Sequence, residues 1–115
     1  MSLDILNTVE IIEVLENFID NIRPAEDIRE QLDIAYKIEN QSIIIHEIRP
    51  HVFKPGVKIE PNIAKATYVK AKDHWKIFWE RSDLKWHLYK PYPIAKSVQE
   101  FVEIVKEDKH GCFWG

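Results

Sequence analysis

The 115 residues, 45% apolar and 30% charged, suit one globular α+β domain with a modest core and exclude a disordered chain. No apolar run approaches the ~20 residues that cross a bilayer, and residues 1–4 are acidic where a signal peptide is basic, so a cytoplasmic address without a membrane partner is expected. The net charge of −3 hides a separation: residues 1–48 carry 3 basic and 11 acidic groups, residues 49–96 carry 11 and 4, and residues 97–115 return to −2.

Apolar residues at Ile5, Val9, Ile12, Leu15, Ile19 and Ile22 recur at helical spacing, with Glu10, Glu13, Glu16, Asn17 and Asp20 outside them. This predicts an amphipathic helix with an acidic outer face. Pro24 suits a first helical position and Glu26 and Asp27 complement the positive helix end, which predicts a short second helix over 24–31. From Leu32 the period becomes two, and Asn40-Gln41 predicts a tight turn between strands at 32–38 and 43–48. Pro50, Pro55, Gly56 and Pro61 predict a surface loop over 51–62. Strands are expected again at 63–71, 75–81 and 85–89, turning at Asp73-His74 and Ser82-Asp83. Ser97 with Glu100 forms a capping-box pattern for a last helix, and residues 110–115 read as a tail. The fold expected is therefore α+β: amino-terminal helices, an antiparallel sheet of about five strands, and a carboxy-terminal helix on one sheet face, all in a single domain over 1–115.

Pairing about a tight turn after Ser82 sets Phe78 opposite Tyr89, Trp79 opposite Leu88, Glu80 opposite His87 and Arg81 opposite Trp86. It assigns Trp75, Ile77, Trp79, Trp86 and Leu88 to the helix side. Lys76, Phe78, Glu80, Lys85, His87 and Tyr89 then face outward, joined by Lys65, Thr67 and Val69 if the preceding turn has two residues; a three-residue turn inverts the parity of 63–71 and removes Lys65. Cations for phosphates beside rings for bases are the ingredients of a nucleic-acid surface, although tryptophans in a small core and lysines on exposed strands are the ordinary explanation. The binding residues expected are Lys65, Lys76, Lys85, His87 and Tyr89, with Arg49 and Lys70 at the rim.

Other chemistry finds little support. His46, His51, His74, His87 and His110 follow no metal-ligand spacing, so no metal is expected. Cys112, the single cysteine, excludes an internal disulfide or a Cys-x-x-Cys pair, and a lone thiol near His110 is more often packed than nucleophilic. Three glycines, none opening a helix, leave no P-loop or dinucleotide fingerprint, and no cofactor is expected. No catalytic residue is assigned, and whether the chain is an enzyme stays open. Three functions are compatible with these residues: a module binding nucleic acid or another polyanion; a module binding an acidic protein or a second copy, with the acidic segment meeting the basic one; and, with least support, a small metal-dependent hydrolase using His46, Glu47, Glu80 and His87.

Several runs resemble one family closely: Ile28-Arg29, Leu32-Asp33, Gln41-Ser42-Ile43, Glu47-Ile48-Arg49-Pro50, Ala64-Lys65-Ala66-Thr67-Tyr68-Val69-Lys70, the stretch from Phe78-Trp79-Glu80-Arg81 through Ser82-Asp83-Leu84-Lys85-Trp86-His87, and Cys112-Phe113-Trp114-Gly115. The chain resembles, end to end, a bacterial family of short stand-alone proteins known as a domain of unknown function, number three-thousand-twenty-four in that series. Trp114 stands where the family pattern has Phe, a conservative ring change. The resemblance implies a bacterial source and a self-contained domain, and it implies no activity.

Overall fold

The computed structural model describes residues 5–114, so the expectations on residues 1–4, on the side chain of Ile5 and on Gly115 lie outside the described residues. Helix α1 spans Ile5–Ile22 and buries Ile11, Leu15, Phe18 and Ile19. The predicted stripe is corrected by part of a turn, because Val9 and Ile12 are 59% and 38% exposed. The helix has more apolar residues than one face accommodates, and two stripes sharing Leu15, Ile19 and Ile22 satisfy the period equally. The large ring of Phe18 selects the one that is buried.

The expected second helix reduces to a single 3-10 turn at Glu26–Ile28. Arg23 grips Asp33 through two hydrogen bonds, Nε–Oδ1 at 3.0 Å and Nη2–Oδ2 at 2.7 Å, so the ten-residue link closes into a compact loop. That donation from Arg23 is the main reason the Asp33 carboxyl is held below the ordinary carboxylate range.

Strands β1 (Asp33–Glu39) and β2 (Ser42–Pro50) form the expected hairpin, with Asn40 in the left-handed region at φ 53°. The stretch expected as loop contains β3 (Lys58–Ile59), which pairs with the end of β2 to form an arm. After it come β4 (Asn62–Val69), β5 (His74–Glu80), β6 (Trp86–Leu88), β7 (Ile94–Ala95) and helix α2 (Val98–Glu107). Every pairing is antiparallel, in the order β1-β2-β4-β5-β6, with β3 beside β2 and β7 beside β5. The Ser97 hydroxyl caps α2 by accepting from the Glu100 amide at 3.1 Å.

One sheet face packs on the helices, with Ile43, Ile45, Ala64, Ala66, Trp75 and Ile77 against Leu15, Phe18, Phe101, Val102 and Val105. The segment read as a tail is docked instead. The Asp108 carboxylate accepts from the Phe113 and Trp114 amides, the Trp114 indole donates to the Val105 carbonyl at 2.8 Å, and Phe113 is buried. Among the described residues no helix is long and apolar enough to cross a membrane.

The two stripes of α1 differ measurably in stability. Phe18→Ala removes a buried ring that only the observed stripe contains and is expected to cost about 3–5 kcal/mol, whereas Val9→Ala should lie within about 0.5 kcal/mol of the parent. Urea denaturation of both variants checks this, and equal losses would contradict the observed rotation of the helix.

Candidate functional site

The turn between β5 and β6 decides what the uncovered sheet face presents. Its loop holds three residues rather than two: the Arg81 amide donates to the Lys85 carbonyl at 3.2 Å and the Leu84 amide to the Arg81 carbonyl at 2.8 Å. Leu84 takes the left-handed conformation at φ 63°, a position that usually favours Gly or Asn. The Asp83 side chain holds the loop, accepting from the Lys85 amide at 3.0 Å and pairing with His87 Nε2 at 2.8 Å.

One added residue slips β6 by one position, so the observed pairs are Phe78 with Leu88, Trp79 with His87 and Glu80 with Trp86. A one-residue slip exchanges the two faces of a strand. Tyr89, expected outward, is fully buried in the core, while Trp86 and Leu88, expected inward, lie on the open face. His87 turns to the helix side at the edge of the sheet. The predicted cross-strand partners change as well: the Glu80 carboxylate accepts from the Asn62 side-chain Nδ2 at 2.8 Å, and the Arg81 guanidinium lies 5.6 Å from the Trp79 ring.

The connection from β4 to β5, a 3-10 turn at Lys70–Lys72 followed by Asp73, is longer than the two-residue turn expected, but it is also even in number and leaves the parity of β4 unchanged. Lys65 therefore pairs with Phe78, and Thr67 with Lys76, on the face turned away from both helices. Lys65 Nζ lies 5.0 Å from the ring centroids of both Phe78 and Trp86. Each cation–ring contact contributes about 0.5–1 kcal/mol at such a half-buried position. Burial between the rings lowers the Lys65 pKa, partly countered by the Glu39 charge. Lys76 stands exposed one step along β5, and Leu88, 42% exposed, extends the apolar ground beside Phe78.

Of the residues expected from sequence, Lys65 and Lys76 come together on this face; exposed Lys85, opposite Arg81 and next to Trp86 in the chain, leaves it with His87 by the same slip. Arg49 does not join them: it sits at the far end of β2, paired with Glu47 at 2.6 Å. Lys70 lies in the turn beyond β4. His87 and Tyr89 point to the other side. Trp86 and Leu88 are the residues of this face that the sequence reading assigned to the helix side, and the clue available was Asp83, a side chain suited to closing a longer loop.

The other chemistries do not assemble. Among the described residues no three His, Cys, Asp or Glu side chains are placed to hold a metal. His46 contacts the Glu47 carbonyl, Glu47 holds Arg49, Glu80 holds Asn62 and His87 holds Asp83, so the four groups of a metal-dependent hydrolase are engaged separately. Burial pushes the Cys112 thiol up, away from the thiolate a nucleophile needs. A cleft of about 120 Å³ beside α2 is lined by Tyr89, Tyr92, Glu100 and Glu107 among others. Lys109 reaches both the Tyr92 hydroxyl, at 3.4 Å, and Glu107, at 3.5 Å.

The model of a family described as a domain of unknown function (DUF3024) matches residues 3–115. No curated protein and no solved structure matches the chain.

The source of the Lys65 shift can be measured. Following the Lys65 side-chain amine by NMR through a pH titration should give a midpoint below the ordinary lysine value, and Trp86→Ala should move it upward by letting water reach the amine. A midpoint that stays or falls in Trp86→Ala would mean that the ring's attraction for the ammonium equals or outweighs its shielding.

Proposed function

The chain belongs to the DUF3024 family, whose description lends it no activity, so we propose from the geometry that it is a non-catalytic module binding single-stranded nucleic acid on the open sheet face. One observation carries the reading: Lys65 is held between Phe78 and Trp86 on a face that neither helix covers. A single strand offers what such a face can use, namely bases free to stack on Phe78 or Trp86 and phosphates within reach of Lys65 and Lys76. A duplex keeps its bases in its own stack. A polyanion without rings would engage the lysines and leave Phe78, Trp86 and Leu88 unused.

The cation is also prepared for its role. Lys65 has lost part of its hydration in the folded protein, so less water must be removed when a phosphate arrives. Nothing in this arrangement reads base edges through a set of directed donors and acceptors, and the reading therefore carries little sequence preference.

Fluorescence anisotropy with a labelled single-stranded oligonucleotide tests it. Binding is expected at low salt and should fall as salt is added, with a log–log slope of about −1 to −2 for the phosphates that Lys65 and Lys76 neutralise, because each releases counterions. Trp86→Ala should weaken binding roughly 5- to 150-fold, the equivalent of losing about 1–3 kcal/mol of stacking. Lys65→Ala should weaken binding and flatten the salt dependence. Absence of binding at low salt, salt-insensitive binding, or full affinity in Trp86→Ala would overturn the proposal.

A further inference from the structure

We propose that two copies of this chain pair through two equal contacts, each formed by the β2–β3 arm of one protomer and the outer face of α1 of the other. The proposal rests on two exposed apolar patches that the fold does not use. At the tip of the arm Val52 and Phe53 are 84% and 85% exposed, and Val57 and Ile59 behind them are 45% and 40% exposed. On α1, Val9 and Ile12 are 59% and 38% exposed, Val9 on the side away from Ile11, Leu15 and Phe18 and Ile12 on the flank between that side and buried Ile19. Single exposed apolar side chains are ordinary; a hairpin arm ending in a bare phenylalanine beside a bare valine is not.

The charges nearest the arm tip and those beside the helix patch have opposite signs, exposed Glu60 beyond Ile59 being the one acidic group at the base of the arm. Lys54 and Lys58 flank the arm tip, both exposed, and neither has a carboxylate within ion-pair distance among the described residues. On α1, Glu13 and beyond it Glu10 border the patch on its Val9 side, and both are exposed. An apolar patch with a basic rim thus faces, on another copy, an apolar patch with an acidic rim, and such complementarity fixes the orientation of approach. A two-fold axis brings each arm to the other copy's helix, so the contact is made twice and both patches of both copies are covered.

Other occupants match only half of this. An anionic bilayer or a nucleic acid would suit Lys54, Lys58 and Phe53, but would leave Val9 and Ile12 in water beside Glu10 and Glu13. A basic partner protein would suit α1 and leave the arm bare. The arm and the outer face of α1 include none of Lys65, Phe78 and Trp86, so the pairing is independent of the proposed nucleic-acid site.

Multi-angle light scattering of the whole chain across a range of concentrations tests the pairing. The parent should reach twice the monomer mass and stop there. Lys54→Glu with Lys58→Glu should give monomer, and Glu10→Lys with Glu13→Lys should do the same, since each double variant sets like charges against each other. An equimolar mixture of the two variants should recover the dimer mass, because every contact then joins opposite charges again. Trp86→Ala should remain dimeric. Circular dichroism shows whether the charge variants keep the parent fold, which surface substitutions of this kind are expected to do. A parent that stays monomeric, a mass that climbs without limit, a dimer that survives both reversals, or a mixture that fails to recover overturns the proposal.

Discussion

The parity of β6 rests on three residues, Ser82, Asp83 and Leu84. Between Arg81 and Lys85 the chain must reverse direction, and it does so with Leu84 in a backbone conformation that costs a non-glycine residue about 1–2 kcal/mol. The two hydrogen-bonding contacts of the Asp83 carboxylate, to the Lys85 amide and to His87, help to offset that cost. His87 is also the first cause of the lowered Asp83 pKa, so the contact that helps to hold the loop is favoured while Asp83 is ionised. A two-residue loop would bury Trp86, expose Tyr89 and remove the second ring from Lys65. The chemistry of the open face is therefore set at the tip of a hairpin and not by the strand residues themselves.

The same parity explains how a strongly amphipathic sheet accommodates so many rings. Trp75, Trp79 and Tyr89 go to the helix side, where Tyr89 packs on Phe113 at a centroid separation of 4.7 Å and Tyr68 lies 5.1 Å from Trp75. Phe78 and Trp86 remain outside. The small Ala64 and Ala66 of β4 face the helices beside the bulky Ile43 and Ile45 of β2, which lets the helix layer approach the middle of the sheet. The docked carboxy-terminal segment then closes the core edge near Tyr89, so the last strand, the last helix and the segment after it depend on one another.

Much of this was legible in the sequence. The first hairpin, the three later main strands, the capped last helix and the outward direction of Lys65, Thr67 and Lys76 follow from the two-residue period, from Asn40, and from Ser97 with Glu100. Each is a local signal with a local cause. What escaped depended on contacts distant in sequence or on unusual backbone. The rotation of α1 was settled by what Phe18 packs against, and the collapse of the second helix by Arg23 reaching Asp33. The β6 slip turned on a leucine accepting a left-handed position. The charge count misled in a further way: the +7 of residues 49–96 is not one patch, because Lys54 and Lys58 stand on the arm, Lys70 and Lys72 occupy a turn, and Lys65 and Lys76 lie on the sheet face.

That dispersal bears on how the open face would work. A dense cluster of lysines attracts any polyanion and depends on charge alone, with an affinity that disappears as salt rises. Here the charge at the centre of the face is a single ammonium, placed against two rings and partly stripped of water by them. The rings shield Lys65, yet as they are only half-buried, part of each is open to solvent. A ligand with one negative group and one flat apolar group, spaced as phosphate and base are, can engage both features at once. A ligand with only one of them forgoes either the stacking or the ion contact, and on so sparsely charged a face neither alone approaches the sum.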